Sequence, residues 1–253
     1  MPVPATAKDS APLVEIFSSA QGEGPLVGCR QIFVRFCGCN LECAYCDTAH
    51  YRDNSCRVQS EPGSHVFEEW VNPVRLEQVI HLIESWLAEY PGLHHSLSLT
   101  GGEPLHHGNI LVRWLPPVRE LVPIYLETNG TQPAVLQQLI DEIDYISMDI
   151  KLSSVCGFAT PWGRHREFLA VAATKTICVK LVVDANTPVS EIVQAAGLVA
   201  SLAPESTLVL QPLTHRDGIH ISAERLLELQ AAALTSYPDV RIIPQTHRFL
   251  DLL

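Results

Sequence analysis

The chain has 253 residues, 47% of them apolar, which is enough to bury one sizeable core and excludes a mini-protein or a disordered tail. Charged residues make up only 18%, and 17 Lys and Arg against 28 Asp and Glu leave a formal charge of −11, which argues against a general nucleic-acid binder with a basic surface. No apolar run reaches the roughly 18 residues of a membrane span, and the start MPVPATAKDSAP lacks the basic end and apolar stretch of a secretory signal, so a soluble, cytoplasmic protein without membrane contacts is expected.

Residues 1–12 are rich in Pro and Ala and read as a loose arm ahead of a single domain over 13–253. Two short strands are expected at 13–17 and 31–36, separated by the turn-forming run Gln21-Gly22-Glu23-Gly24-Pro25. A cysteine-rich loop follows, and then 51–73, polar with scattered aromatics and no clear period, which reads as an irregular insertion. From residue 74 helices and strands alternate. Helices are expected at 74–90, 109–121, 133–141, 164–173, 188–202 and 223–237, and strands at 96–100, 123–127, 145–150, 176–183, 207–211 and 240–243. Strands such as Ile177–Val183 are almost wholly apolar, as they are when helices cover a parallel sheet or a barrel encloses one face. The fold class is therefore α/β, with six or seven strand-then-helix units that either close toward a barrel or open as a curved sheet. In both cases function belongs at the C-terminal ends of the strands.

Five of those ends carry polar or Gly-rich sequence: the cysteine loop, Thr100-Gly101-Gly102-Glu103-Pro104, Glu127-Thr128-Asn129-Gly130, Ser147-Met148-Asp149-Ile150-Lys151 and Gln211-Pro212. The cysteines are the unusual component. Five of the eight (Cys29, Cys37, Cys39, Cys43 and Cys46) fall within 18 residues, and a chain this long needs no disulfides, so a metal is expected. Cys39, Cys43 and Cys46 have the spacing Cys-x3-Cys-x2-Cys, which lets three thiolates reach three irons of a cubane and leaves the fourth iron open. A structural zinc is the alternative, with Cys37, His50 or Cys56 as the fourth ligand.

The three-cysteine loop, with Tyr45 before its last cysteine, together with Gly101-Gly102-Glu103-Pro104, resembles the radical S-adenosylmethionine superfamily. Within it, Gln21-Gly22-Glu23-Gly24, Phe33-Val34-Arg35, Cys43-Ala44-Tyr45-Cys46-Asp47-Thr48, Glu127-Thr128-Asn129-Gly130 and Pro244-Gln245-Thr246-His247 resemble the 7-carboxy-7-deazaguanine synthase family of queuosine precursor biosynthesis, from about Glu15 to His247. The resemblance implies a partial (β/α)6-type radical SAM barrel with parallel strands and outer helices. It implies that Cys39, Cys43 and Cys46 hold a [4Fe-4S] cluster whose open iron chelates S-adenosylmethionine.

The cofactor contacts it implies are Tyr45, Gly102, Gln211 and, at the fourth strand end, Ser147, Met148, Asp149 and Lys151 for ribose and carboxylate groups. That segment departs from the Ser-Pro-Lys pattern of some members. The implied substrate is 6-carboxy-5,6,7,8-tetrahydropterin, contracted to 7-carboxy-7-deazaguanine with loss of ammonia. Ala20, Gln21 and Gly22 would meet the pterin edge, Arg35 its carboxylate, and Thr100 is a further contact. Thr48 matches the position of an oxygen ligand to Mg2+. A homodimer and an electron donor such as flavodoxin or ferredoxin are also implied. Cys37 reads as a packing residue, and Cys56, Cys156 and Cys178 form no second cluster set. A glycyl-radical activating enzyme is the rival reading, sharing the cluster loop and a segment like Asp149-Ile150-Lys151.

Overall fold

The computed structural model describes residues 9–46, 54–215 and 217–253; Asp47, Thr48 and His50 lie outside them. The strands are β1 (Ser10–Ala11), β2 (Leu13–Ala20), β3 (Arg30–Phe36), β4 (Ser55–Gln59), β5 (Phe67–Val71), β6 (Val74–Arg75), β7 (Ser96–Gly101), β8 (Ile124–Thr128), β9 (Tyr145–Asp149), β10 (Thr176–Val183), β11 (Thr207–Pro212), β12 (Thr214–His215), β13 (Gly218–Ile219) and β14 (Val240–Ile242). The helices are α1 (Leu76–Glu89), α2 (Gly108–Arg119), α3 (Pro133–Leu139), α4 (Ser153–Cys156), α5 (Trp162–Ala172), α6 (Val189–Leu202), α7 (Ala223–Leu234) and α8 (His247–Leu250).

One ten-stranded sheet runs in the order β14-β11-β10-β9-β8-β7-β3-β2-β4-β5. From β3 to β14 every neighbouring pair is parallel and the strands follow chain order, so the strand-then-helix repeat expected from the sequence is present. The sheet stays open, ending on β14 and β5 rather than closing as a barrel. Helices pack by their apolar stripes: α1 buries Val79, Ile83 and Trp86, spaced four and three residues apart on one face. Seven of the eight β10 residues are buried, as for a strand covered on both faces.

Two expectations are corrected. The segment 51–73 is not irregular where it is described: β4 and β5 form an antiparallel hairpin that adds two strands to the sheet, β4 lying parallel to β2. Cys56 and Val58 are buried while Arg57 between them is exposed, an alternation too short to register against the polar surroundings. The arm is not wholly loose, since β1 pairs with β6, the first two residues of the expected 74–90 helix, and Ala11 is buried. The β12–β13 hairpin, α4 and α8 are too short to leave a periodic signal.

Register sets the functional face. Arg35 lies opposite Thr100, Glu127 opposite Ser147, Asp149 opposite Lys180, and Val182 opposite Gln211. Paired residues share a face and successive residues switch face, so these side chains, all polar except Val182, form one row across the C-terminal half of the sheet.

Candidate active site

That row lines a cavity of about 980 Å³, together with Ala20, Gln21, Gly22, Cys39, Cys43, Tyr45, Cys46, Gly102 and Lys151. All the site residues expected from the sequence are brought to this wall except two. Thr48 lies outside the described residues. Met148 is fully buried in the hydrophobic core, because its neighbours Ser147 and Asp149 take the cavity face and the pleat sends Met148 to the other. It packs there beneath Gly130, where an added Cβ would lie 2.7 Å from its terminal methyl.

The three cysteines sit on a loop tied down from several directions. Asn129 Nδ2 donates to Asn40 Oδ1 at 2.9 Å and to Cys39 Sγ at 3.7 Å. Asn40 Nδ2 donates to Thr131 Oγ1 at 2.9 Å, and Ala44 N–H to the Cys156 carbonyl at 2.9 Å. Leu41 N–H adds a bond to Cys39 Sγ at 3.4 Å. Cys37 is buried and is not among the residues that line the cavity, as expected of a packing residue. Burial pushes the Cys39 thiol up, while a hydrogen bond from Cys156, working against burial, brings Cys43 down to about 7. Three thiols on one cavity wall with hydrogen bonds aimed at two of the sulfurs suit an iron–sulfur cluster.

Glycine matters where β3 and β7 end side by side. Gly101 has φ +118°, and an added Cβ would fall 2.4 Å from the Phe36 carbonyl oxygen. Gly102 N–H donates to that same oxygen at 3.1 Å. The carboxylate of Glu103, completely buried, accepts from Leu105 N–H (3.0 Å), Thr128 Oγ1 (2.9 Å) and Asn129 N–H (2.7 Å), so it welds the ends of β7 and β8. Burial outweighs these three donors and raises its pKa to about 7.

At the centre of the row Glu127 accepts from Gln21 Nε2 at 2.7 Å, Ser98 Oγ at 3.3 Å and Thr100 Oγ1 at 2.6 Å. Gln21 is itself fixed, donating to Gln31 and accepting from Glu23 N–H. Beside it, Phe17 and Phe33 stack with centroids 5.0 Å apart, and Arg35 lies 5.8 Å from the Phe17 centroid. The Arg35 guanidinium is not alone, because its Nε is 2.9 Å from Glu15, whose other oxygen is 3.6 Å from Arg57.

A second chain of charges crosses the floor. Lys151 Nζ lies 2.6 Å from Asp149 and donates to Tyr45 Oη at 3.0 Å; Lys180 bridges Asp149 at 3.3 Å and Glu23. Burial works against the charge on both lysines, but the facing carboxylates hold their pKa values well above the usual range. Burial would raise Glu23 too, yet Lys180 and Gln245 bring it down to about 2. Two cations and two anions therefore cancel locally. His165, fully buried, accepts the Lys151 N–H at Nε2 (3.1 Å) and donates Nδ1–H to the Gly130 carbonyl (3.1 Å), which fixes a neutral tautomer that burial favours, with a pKa of about 4. Gln211 Oε1 is buried in the cavity wall without a hydrogen-bond partner among the described residues, an acceptor left for a ligand.

Lys180 and His165 lie in none of the sequence motifs, Glu23, Asn129 and Gln245 lie within motifs but carry no role of their own there, and Cys156 reads from sequence only as belonging to no second cluster. One signal was present: Lys180 is the single charge in the run Ile177–Val183. The others are identifiable only once distant strand ends are side by side.

The Radical SAM superfamily profile matches residues 33–154. The 7-carboxy-7-deazaguanine synthase of Geobacter sulfurreducens is 46% identical over 249 residues, covering 98% of this chain and 100% of that protein. The enzyme of the same name from Thermococcus kodakarensis is 36% identical, covering 95% and 98%. The crystal structure of QueE from Escherichia coli shares the fold, with a TM-score of 0.58 at 20% identity over 94% of this chain and 95% of that one. This chain belongs to the 7-carboxy-7-deazaguanine synthase family within the Radical SAM superfamily.

Proposed function

We infer that the protein is a radical S-adenosylmethionine lyase that contracts 6-carboxy-5,6,7,8-tetrahydropterin to 7-carboxy-7-deazaguanine, with loss of ammonia, in 7-deazapurine biosynthesis. The observation that carries the reading is full-length similarity at 46% identity, joined to a cavity in which the cysteine loop and the Gln21–Glu127–Thr100 network face the same space. When bound, a [4Fe-4S] cluster and S-adenosylmethionine supply the one-electron cleavage and hydrogen-atom abstraction that no side chain can.

Cys39, Cys43 and Cys46 would hold the cluster. Gly101 and Gly102 keep the adjoining strand end free of side chain, and Gln211 Oε1 and Ser147 offer polar atoms to the cofactor from the far wall. Tyr45, Asp149 and Lys151 form the hydrogen-bonded side of the same pocket. A pterin edge presents neighbouring N–H donors, and the Glu127 carboxylate, oriented by Gln21 and Thr100, is a matching acceptor, with the backbone of Ala20 and Gly22 alongside. Phe17 and Phe33 supply a flat apolar wall for the ring. Arg35, held in place by Glu15, is the cation for the substrate carboxylate. Enclosure by these walls limits water at the reacting carbon.

Thr48 would complete a Mg2+ site with waters and the substrate carboxylate. A homodimer and a flavodoxin- or ferredoxin-type electron donor complete the proposal.

Anaerobic turnover of the reconstituted protein with S-adenosylmethionine, a reductant and carboxytetrahydropterin tests the reading. Formation of the deazaguanine product is expected. Cofactor cleavage with glycyl-radical formation on a protein substrate, and no deazaguanine, would overturn it.

A further inference from the structure

Two side chains from outside the cysteine loop reach its sulfurs. Asn129, at the end of β8, is immobilised before it touches the loop: its Oδ1 accepts from Thr131 N–H (3.1 Å) and Oγ1 (2.6 Å), and its own N–H is bound by Glu103 (2.7 Å). From that fixed position its Nδ2 meets Cys39 Sγ at 3.7 Å. Cys156, the last residue of α4, is 1% exposed, and its carbonyl accepts the Ala44 N–H at 2.9 Å, which sets the two segments in register. Its thiol donates to Tyr45 Oη at 3.9 Å, and Cys43 is a second acceptor within its reach, the thiol that a bond from Cys156 brings down. Of these two acceptors a thiolate is the stronger, because a charged acceptor roughly doubles the strength of a hydrogen bond.

We propose that Asn129 and Cys156 are positioning residues that set the reduction potential of the cluster held by Cys39, Cys43 and Cys46, through N–H···S and S–H···S bonds to two of the three ligands. The inference rests on the cluster reading of the loop. Adding an electron increases the negative charge on the sulfurs, so a donor aimed at a sulfur stabilises the reduced state more than the oxidised one and raises the potential. Both donors are buried, where such a bond is electrostatically stronger than in water. They come from the end of β8 and from α4, so the potential is tied to the same segments that enclose the cofactor.

The test is a potentiometric titration, followed by electron paramagnetic resonance, of the reconstituted protein without cofactor or substrate. Cys156→Ala is expected to shift the reduction equilibrium about tenfold toward the oxidised cluster, about 59 mV downward for one electron. Cys156→Ser, which keeps a donor, should return most of the shift. Asn129→Leu, which removes the amide at similar volume, should move the potential in the same direction as Cys156→Ala. Iron and sulfide analysis accompanies each sample. Loaded Cys156→Ala and Asn129→Leu proteins that titrate with the wild type overturn the inference. So does equal loss of cluster from Cys156→Ala and Cys156→Ser, which would make Cys156 a packing residue. An unloaded wild-type protein, by contrast, removes the cluster reading itself.

Discussion

Lys180→Met removes the cation that bridges Glu23 and Asp149 while keeping the length and apolar stem of the side chain. In the wild-type protein Glu23 is held at about 2 against an ordinary 4.5, a difference worth about 3 kcal/mol at 1.36 kcal/mol per unit. The folded pKa is depressed, so this stability is fully present above pH 4.5 and is lost progressively as the pH falls from 4.5 through 2. Without Lys180, burial dominates at Glu23 and its folded pKa rises above 4.5. The variant then folds at pH 7 with an uncompensated buried carboxylate, at a cost of roughly 3–5 kcal/mol. As the pH drops toward 4.5, Glu23 of the variant takes up a proton and the penalty shrinks, while the wild type still keeps most of its contribution. Urea unfolding of both proteins at pH 7 and pH 4.5 measures this. The gap should narrow by on the order of 2 kcal/mol, and Glu23→Gln in the same chain should recover much of the loss at pH 7. A deficit that is equal at both pH values, or below about 1 kcal/mol at pH 7, would refute the electrostatic account.

Four further outcomes are expected. Cys43→Ala should abolish iron loading and leave the far-ultraviolet circular dichroism unchanged, because the ten-stranded sheet does not depend on that loop; a collapsed spectrum counts against it. Thr48→Ala should lose Mg2+ response in turnover before it loses cofactor cleavage, measured by titrating Mg2+ against both products. Gly22→Ala puts a Cβ 2.1 Å from His247 Nδ1, so the His247 side chain must swing out, and proteolysis near α8 should accelerate while unchanged cleavage kinetics would contradict the clash. His165→Phe leaves the Lys151 N–H and the Gly130 carbonyl without their partner, at about 1–3 kcal/mol for each buried group. It should also flatten the acid sensitivity between pH 6.5 and 4, because the folded pKa of His165 is about 4 and the unfolded chain takes up a proton first. A wild-type slope in that variant would remove His165 as its source.

The repeat of strand and helix was legible because each strand is a run of apolar residues bounded by turn chemistry, and the site was legible as motifs placed at strand ends. Met148 shows where motif reading stops: membership of the segment 147–151 says nothing about which face of the pleat a residue takes, and only register with β8 and β10 decides it. The β4–β5 hairpin was obscured because an edge strand exposes most of its residues, Val71 among them at 82%, so its pattern is that of a loop. Arg35 was identified as a cation, but its engagement by Glu15 depends on the antiparallel register of β2 with β3. Lys180 and Glu23 are 157 residues apart, and no local pattern couples them.

The hydrogen bond from Gln245 to Glu23 joins residues 222 positions apart, and Thr246 N–H likewise closes on the Gly22 carbonyl. These contacts couple the loop beyond β14, at one end of the parallel array, to the turn beside β3 at the other, so the mouth of the cavity is completed by loops and not by strand pairing. Contacts of such long range form only after the chain between them has been ordered, since loop closure is unfavourable until intervening structure shortens it. The cysteine loop is therefore made early in the order of synthesis, and the rim that encloses its ligands is assembled last.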